Sequence, residues 1–298
     1  MPFSHRHHHF ARLGGKILLD RLITPSYVLR RCELAGFLHD ERLSARALGY
    51  GTKSDRARLV VMLEGRGEFR AGAAQVELGP GEALLVSAFD ALTQRGATAI
   101  QLELDWDPGG ALGGMPDQGW THFRLGPTEQ KATLALASAL GPNPAAATFA
   151  TVTDAALLSL RALGLPFVPG SWREPLVAED PSDQAWSSAI DAAPSDLGAG
   201  PASTDLERRL AKSRSTVFRR SREFHDKLRL SGLSGPAWRS VRDFYRLLVG
   251  TIVMGHEDAS TKEVASLLGY RSAEAFCHAF ANAGLPSPGL VRENLRLL

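Results

Sequence analysis

The C-terminal third of the chain spells one short pattern twice, and this repeat restricts the fold more than any other feature. Leu206 and Leu210 stand four residues apart, as do Val264 and Leu268, which is the spacing of a buried helix face. Each pair precedes a break and then a second helical segment. In the later copy Ser260-Thr261-Lys262-Glu263 forms a Ser-x-x-Glu capping box, and Gly269-Tyr270 makes the turn. Phe276 and Phe280 then resume the four-residue spacing. In the earlier copy Thr204-Asp205 can cap the first helix and Ser213 the second, with Val217 and Phe224 facing inward. Phe218 is matched to Phe276. Both copies run into related brakes, "GLSGPAWR" and "GLPSPGLVR". Between them lies "PAWRSVRDFYRLLVGTIVM", one long helix with Pro236 in its first turn. The expectation is two helix-turn-helix units joined by a long helix, whose Val241, Tyr245 and Leu248 pack on both.

Charge is distributed in keeping with that division. Residues 201–298 hold 16 Lys and Arg against 10 Asp and Glu, while residues 1–200 hold 18 against 22. From Ser203 to Leu247 the excess is sharpest, 12 basic against 5 acidic. A basic module beside a mildly acidic one suits polyanion binding coupled to a different task. The sign changes near residue 200, where "APSDLGAGPAST" reads as a linker. Two signals therefore place a domain boundary there, giving domains 1–200 and 201–298.

The first domain begins with strands. From Tyr27 to Trp106, short runs alternate with Gly and Pro turns: Leu59 to Leu63, Glu68 to Arg70, Gln75 to Leu78, Ala83 to Val86, and "TAIQLELDW" with Ile100, Leu102 and Leu104 on one face. Such regular punctuation predicts a small barrel or sandwich. "DPGGALGGMPDQG" lacks the Lys and strand-to-helix setting of a phosphate loop and reads as a connector. Three helical segments follow, "PTEQKATLALASAL", "TVTDAALLSLRAL" and "DQAWSSAIDAA". They can form a dimer interface or pack on the barrel.

The C-terminal residues resemble the AraC/XylS type of transcription regulator. The resemblance covers residues 203–298. It rests on Val264-Ala265, Leu268-Gly269-Tyr270, Ser272, Phe276, Ala279-Phe280, Gly284, Ser287-Pro288 and Arg292, with one extra residue before Ser287. It implies an α+β chain: an N-terminal cupin-like small β-barrel with following helices, then an all-α domain of two helix-turn-helix units. Implied too are double-stranded DNA as partner, a small-molecule effector in the barrel, a homodimer, and RNA polymerase contact if the protein activates. The second reading helix departs from the pattern. Where basic residues are usual it carries His278, Ala281, Asn282 and Ala283.

Candidate DNA contacts are therefore Arg214, Ser215, Thr216, Arg219, Arg220 and Arg222 in the first unit. In the second they are Arg271, Ser272, Ala273, Glu274 and His278. A helix fits the major groove, with Arg on phosphates and other side chains on base edges. Leu268, Phe276 and Phe280 are core. The rival expectation is a regulatory or protein-interaction module whose helix-turn-helix domain no longer binds DNA.

Little points to catalysis, and no catalytic residue or cofactor is nominated. No G-x-S-x-G elbow is present. His5, His7, His8 and His9 could gather a metal, but read better as a flexible or surface segment. The strand region has no His between His39 and His122, which disfavours a metal centre in the barrel. Glu82 reads as a turn residue. Cys277 reads as a half-buried, inert thiol, and with Cys32 it is too little for a disulfide framework. No apolar run approaches the roughly 18 residues of a membrane span, and no signal peptide opens the chain, so a cytoplasmic protein is expected.

Overall fold

A computed structural model describes residues 3–24, 27–36, 39–40, 57–71, 73–86, 92–95, 98–110, 112–114, 120–141, 146–168, 170–176, 203–227 and 238–296. Eleven strands come first: β1 (Phe3–Phe10), β2 (Gly15–Ile23), β3 (Tyr27–Ala35), β4 (His39–Asp40), β5 (Ala57–Gly65), β6 (Gly67–Ala71), β7 (Ala74–Leu78), β8 (Glu82–Val86), β9 (Leu92–Arg95), β10 (Thr98–Trp106) and β11 (Trp120–Arg124). Seven of them form one antiparallel sheet in the order β1-β2-β3-β10-β5-β8-β11, and four form a second, β4-β9-β6-β7. The chain passes from the large sheet to the small one at Gly65. Its φ is +76°, and a Cβ there would lie 2.1 Å from the Thr98 carbonyl oxygen, so only glycine fits.

Strand β5 shows why its sequence is an apolar run instead of an alternation. Val60 and Met62 face the small sheet and pack with Phe69, Leu78, Leu84 and Val86. Leu59 and Val61 face the other way, into a core with Leu102, Leu104, Leu136, Leu157 and Leu160. A strand covered on both faces has no reason to alternate. The second core is closed by α1 (Pro127–Ala139) and α2 (Ala146–Ala162). The Gly-rich connector docks here as well: Leu112 is buried, Gly113 pairs with Phe167, and Trp106 Nε1 donates to the Gly114 carbonyl at 3.0 Å. The segment "DQAWSSAIDAA" and the linker before Ser203 lie outside the described residues.

The C-terminal part contains α3 (Ser203–Leu210), α4 (Arg214–Lys227), α5 (Trp238–Val253), α6 (Thr261–Leu267), α7 (Ala273–Asn282) and α8 (Pro288–Arg296). The architecture is the expected α+β one. A cupin-like double sheet with helices precedes an all-α part in which α3–α4 and α6–α7 are the two helix-turn-helix units and α5 is the long helix between them.

One expectation needs correction. The histidine segment at the N-terminus, expected to be flexible or at the surface, is strand β1, paired residue for residue with β2 from Phe3↔Leu22 to Phe10↔Gly15, with His7 and His9 exposed. His8 and Phe10 point into a core, and His8 Nε2 meets the Tyr245 hydroxyl at 2.9 Å. His5 and His7 point to the opposite face, 2.9 and 3.1 Å from Asp20 Oδ1. Burial opposes ionisation of Asp20, but the bonds from His5 and His7 outweigh it and hold the carboxyl below its usual range. Histidine on both faces of the strand hides the alternation that would have revealed it.

Helix α5 packs on the second unit through the expected Tyr245 and Leu248. Its Tyr245, Leu247, Val249, Ile252 and Val253 share one core with Val264, Leu268, Phe276 and Phe280 of the second unit. Phe10, Leu13, Ile17, Cys32 and Leu34 from β1–β3 and the turn after β1 complete that core. Leu206 and Val217, buried in the first unit, are not among the described residues of this core, and the Phe224 side chain lies outside the described residues. Leu248 packs half-buried on the same cluster, and the Val241 side chain lies outside the described residues. Among the described residues α5 thus fastens the second unit to the large sheet.

This shared core makes a prediction. Ile17→Ala, a buried truncation in β2, should cost about 2–5 kcal/mol. The loss should appear as faster hydrogen exchange in α7 as well as in β2. Unchanged protection of the α7 amides would show that the two parts open independently.

Candidate nucleic-acid interface

The two units are built on the same helix ending. In the second, the Gly269 N–H bonds the Ser266 carbonyl at 3.0 Å and the Tyr270 N–H bonds the Ala265 carbonyl at 2.8 Å. In the first, the Ala211 N–H bonds Arg208 at 3.3 Å and the Lys212 N–H bonds Glu207 at 3.1 Å. These are the paired bonds of a Schellman motif, which requires a left-handed residue just past the helix. Gly269 has φ +73° at no cost, whereas Ala211 is held at φ +49° with a Cβ. Ala211→Gly should therefore stabilise the chain by about 1 kcal/mol in equilibrium denaturation. A loss of stability would mean that Ala211 makes contacts worth more than the strain.

From this turn the second helices of the two units start one residue out of step. Ser213 follows Ala211 by two residues and accepts the Thr216 N–H at 3.4 Å. Ser272 follows Gly269 by three and accepts the Ala275 N–H at 3.2 Å. Four residues past each cap lies the buried anchor, Val217 in α4 and Phe276 in α7. The match of Phe218 to Phe276 is thus displaced by one position. Phe218 is turned outward and is 48% exposed.

Every candidate contact residue lies at an exposed or half-buried position. Arg214, Ser215, Arg219 and Arg222 are exposed on α4, with Thr216 and Arg220 half-buried beside them. The Ser215 and Thr216 hydroxyls both meet Ser213 Oγ, at 3.1 and 3.0 Å, so both share in the cap. Arg219 and Arg220 both reach Glu223, at 2.8 and 3.3 Å. Exposed helical pairs of this kind are worth about 0.3–0.5 kcal/mol each, so a phosphate can displace them. Sequence reading passed over Glu223, although its place four residues after Arg219 marks it.

On the second unit Arg271, Ser272, Glu274 and His278 are exposed and Ala273 is half-buried. The Glu274 carboxyl is held below its usual range, chiefly by hydrogen bonding with Ser272, then by backbone bonding and by His278. The start of α7 therefore presents a carboxylate together with the cap. Cys277 is half-buried, as its spacing implied. Leu268, Phe276 and Phe280 are fully enclosed, and the two phenylalanine rings meet edge-on at 4.7 Å. Helix α5 comes so close that a Cβ on Gly250 would lie 3.1 Å from both Leu268 and Phe276. Arg292 braces the unit from α8 by donating to the Ala259 carbonyl at 2.6 Å.

Elsewhere the described residues offer little chemistry. Glu82 closes its turn by accepting the Gly79 N–H at 2.7 Å, the role its sequence position suggested. Among the described residues no group of three His, Cys, Asp or Glu side chains is arranged to hold a metal, and no helix is long and apolar enough to cross a membrane. A small cavity lies between the large sheet and α1–α2, lined by Tyr27, Leu59, Val61, Leu102, Leu157 and Trp172. Burial pushes the Tyr27 phenol well up, and it donates to the Trp172 carbonyl at 3.0 Å.

No family model and no curated protein matches the chain. Among solved structures, ToxT from Vibrio cholerae aligns over 92% of this chain and 99% of its own, at 11% identity and TM-score 0.35. The AraC-like transcriptional activator CuxR aligns over 79% and 81%, at 16% identity and TM-score 0.33. The Clostridium difficile EutQ protein covers 34% of this chain with 75% of its own, at 9% identity and TM-score 0.26. Scores this low carry no weight, so function rests on the residues described above.

The Glu223 clamp is open to direct test. Glu223→Gln should free Arg219 and Arg220 and raise affinity for duplex DNA a few-fold at low salt. Unchanged binding would place these two arginines away from the phosphates.

Proposed function

We propose that the chain is a sequence-specific DNA-binding transcription regulator of the AraC/XylS type. The observation that carries this reading is α4: Arg214, Arg219, Arg220 and Arg222 stand exposed or half-buried on a helix that enters from a capped helix-turn-helix. Helix α4 would supply most phosphate contacts, and α7 would read a neighbouring major-groove segment with fewer cations. Two such readers belong on successive groove faces, roughly 34 Å apart. The N-terminal double sheet and α1–α2 would take a small-molecule effector or a second copy of the chain, and an activator would also meet RNA polymerase.

The double variant Arg219→Ala/Arg220→Ala should bind a specific duplex at least ten-fold more weakly. Its logarithmic salt slope should fall by about two, one for each phosphate no longer neutralised. Equal affinity and an equal slope would overturn the DNA-binding role. The two units should also respond unequally, with Arg219→Ala costing more than Ala281→Lys gains. Equal sensitivity across α4 and α7 in a mutational scan would refute that division.

A second reading, a protein-interaction module without a DNA role, draws on the surface of α7. There Ala275, Ala281 and Asn282 are exposed where phosphate-binding side chains would be useful. The absence of any duplex binding at low salt would favour it.

A further inference from the structure

We infer that Phe218 is a specificity-determining residue that reads the methyl group of thymine from the centre of α4. The inference rests on the DNA-binding reading above and extends it to one base contact.

Three observations carry it. First, Phe218 is 48% exposed, and it is the one aromatic residue among the exposed large hydrophobic side chains of the described residues. The core does not need it, because Val217 fills the inward position at 2% exposure. Second, the ring stands in a row of cations. Arg214 and Arg222 lie one helical turn before and after it, on the same face. A helix so equipped holds phosphates at both ends and presses what lies between onto the groove floor. Third, the hydroxyl groups nearest it in sequence serve the helix start: Ser215 and Thr216 both meet Ser213 Oγ, at 3.1 and 3.0 Å. A phenyl ring has no hydrogen bond to offer a base edge. What it can bury in the major groove is the C5 methyl of thymine, which distinguishes that base from cytosine or uracil.

Exchanging thymine for deoxyuridine removes only that methyl group. The full chain would first be used to enrich a duplex from a random pool. Each thymine of that duplex would then be replaced in turn and affinity measured by fluorescence anisotropy. The wild-type protein should lose about four-fold at one or two thymines, the effect of exposing one buried methyl. Phe218→Ala should bind the thymine and uracil forms equally at those positions, and Phe218→Leu should keep part of the preference. Because the side chain is exposed, circular dichroism and melting of both variants should match wild type. The salt slope should not change, since the phenyl ring neutralises no phosphate.

The inference is overturned if Phe218→Ala keeps the wild-type preference at every thymine. It is also overturned if wild type ignores every exchange, which would turn the ring toward a protein partner. Failure to enrich any duplex overturns the regulator reading and this inference together, so the two failures are distinct.

Discussion

The packing of the second helix-turn-helix unit depends on an apolar face that its own helices do not close. Phe276, Phe280, Leu268 and Val264 lie in one cluster with α5, with Val291 and Leu295 of α8, and with Phe10, Leu13, Ile17, Cys32 and Leu34. Apolar burial is non-directional but scales with area, so two elements that finish each other's core are joined far more firmly than surface ion pairs could join them. The hydrogen bond between His8 and Tyr245 adds direction inside that contact, because a buried polar pair tolerates only one register. The boundary near residue 200 is a feature of composition, and the core crosses it.

The two units are consequently unlike in kind. The second has Gly269 at its turn, a phenylalanine anchor, a cap at Ser272, and Arg292 and Arg296 tying α8 to the carbonyls of Ala259 and Glu257. The first has Ala211 in the strained position, a smaller valine anchor, and a turn shorter by one residue. Its exposed surface carries the cations. Rigidity has gathered in one copy and charge in the other, as expected when a duplicated motif has only one copy built into a larger core.

Much of this was legible in the residues. The alternation in "TAIQLELDW", the Gly-Pro turns and the capping box at Ser260 each rest on a local rule, and each element formed where that rule put it. The failures were non-local. Strand β1 was missed because its histidines serve two unrelated faces, one meeting Asp20 and the other Tyr245, and only the fold shows that both faces are covered. The Phe218 match failed because a one-residue difference in a turn rotates a helix by about 100°, enough to move a side chain from core to solvent. At the candidate site, residue types and exposure were legible, while the Glu223 clamp and the outward ring of Phe218 required the helix register.

The unequal units suggest how control and affinity can be separated in such a chain. A ligand shifts a conformational equilibrium only as far as its affinities for the two states differ. On the regulator reading, a ligand that alters the packing of β2 and β3 must disturb Ile17, Cys32 and Leu34, and these are core residues of the second unit. Among the described residues the first unit has no share in that core. The unit in mechanical contact with the sheet is thus the one with few cations, which can leave or meet DNA at small electrostatic cost. On that reading the arginine-rich unit would be harder to move, because each phosphate it released would recondense a counterion. A weakly charged reader is therefore the better place to apply control, and its sparse basic residues suit that position.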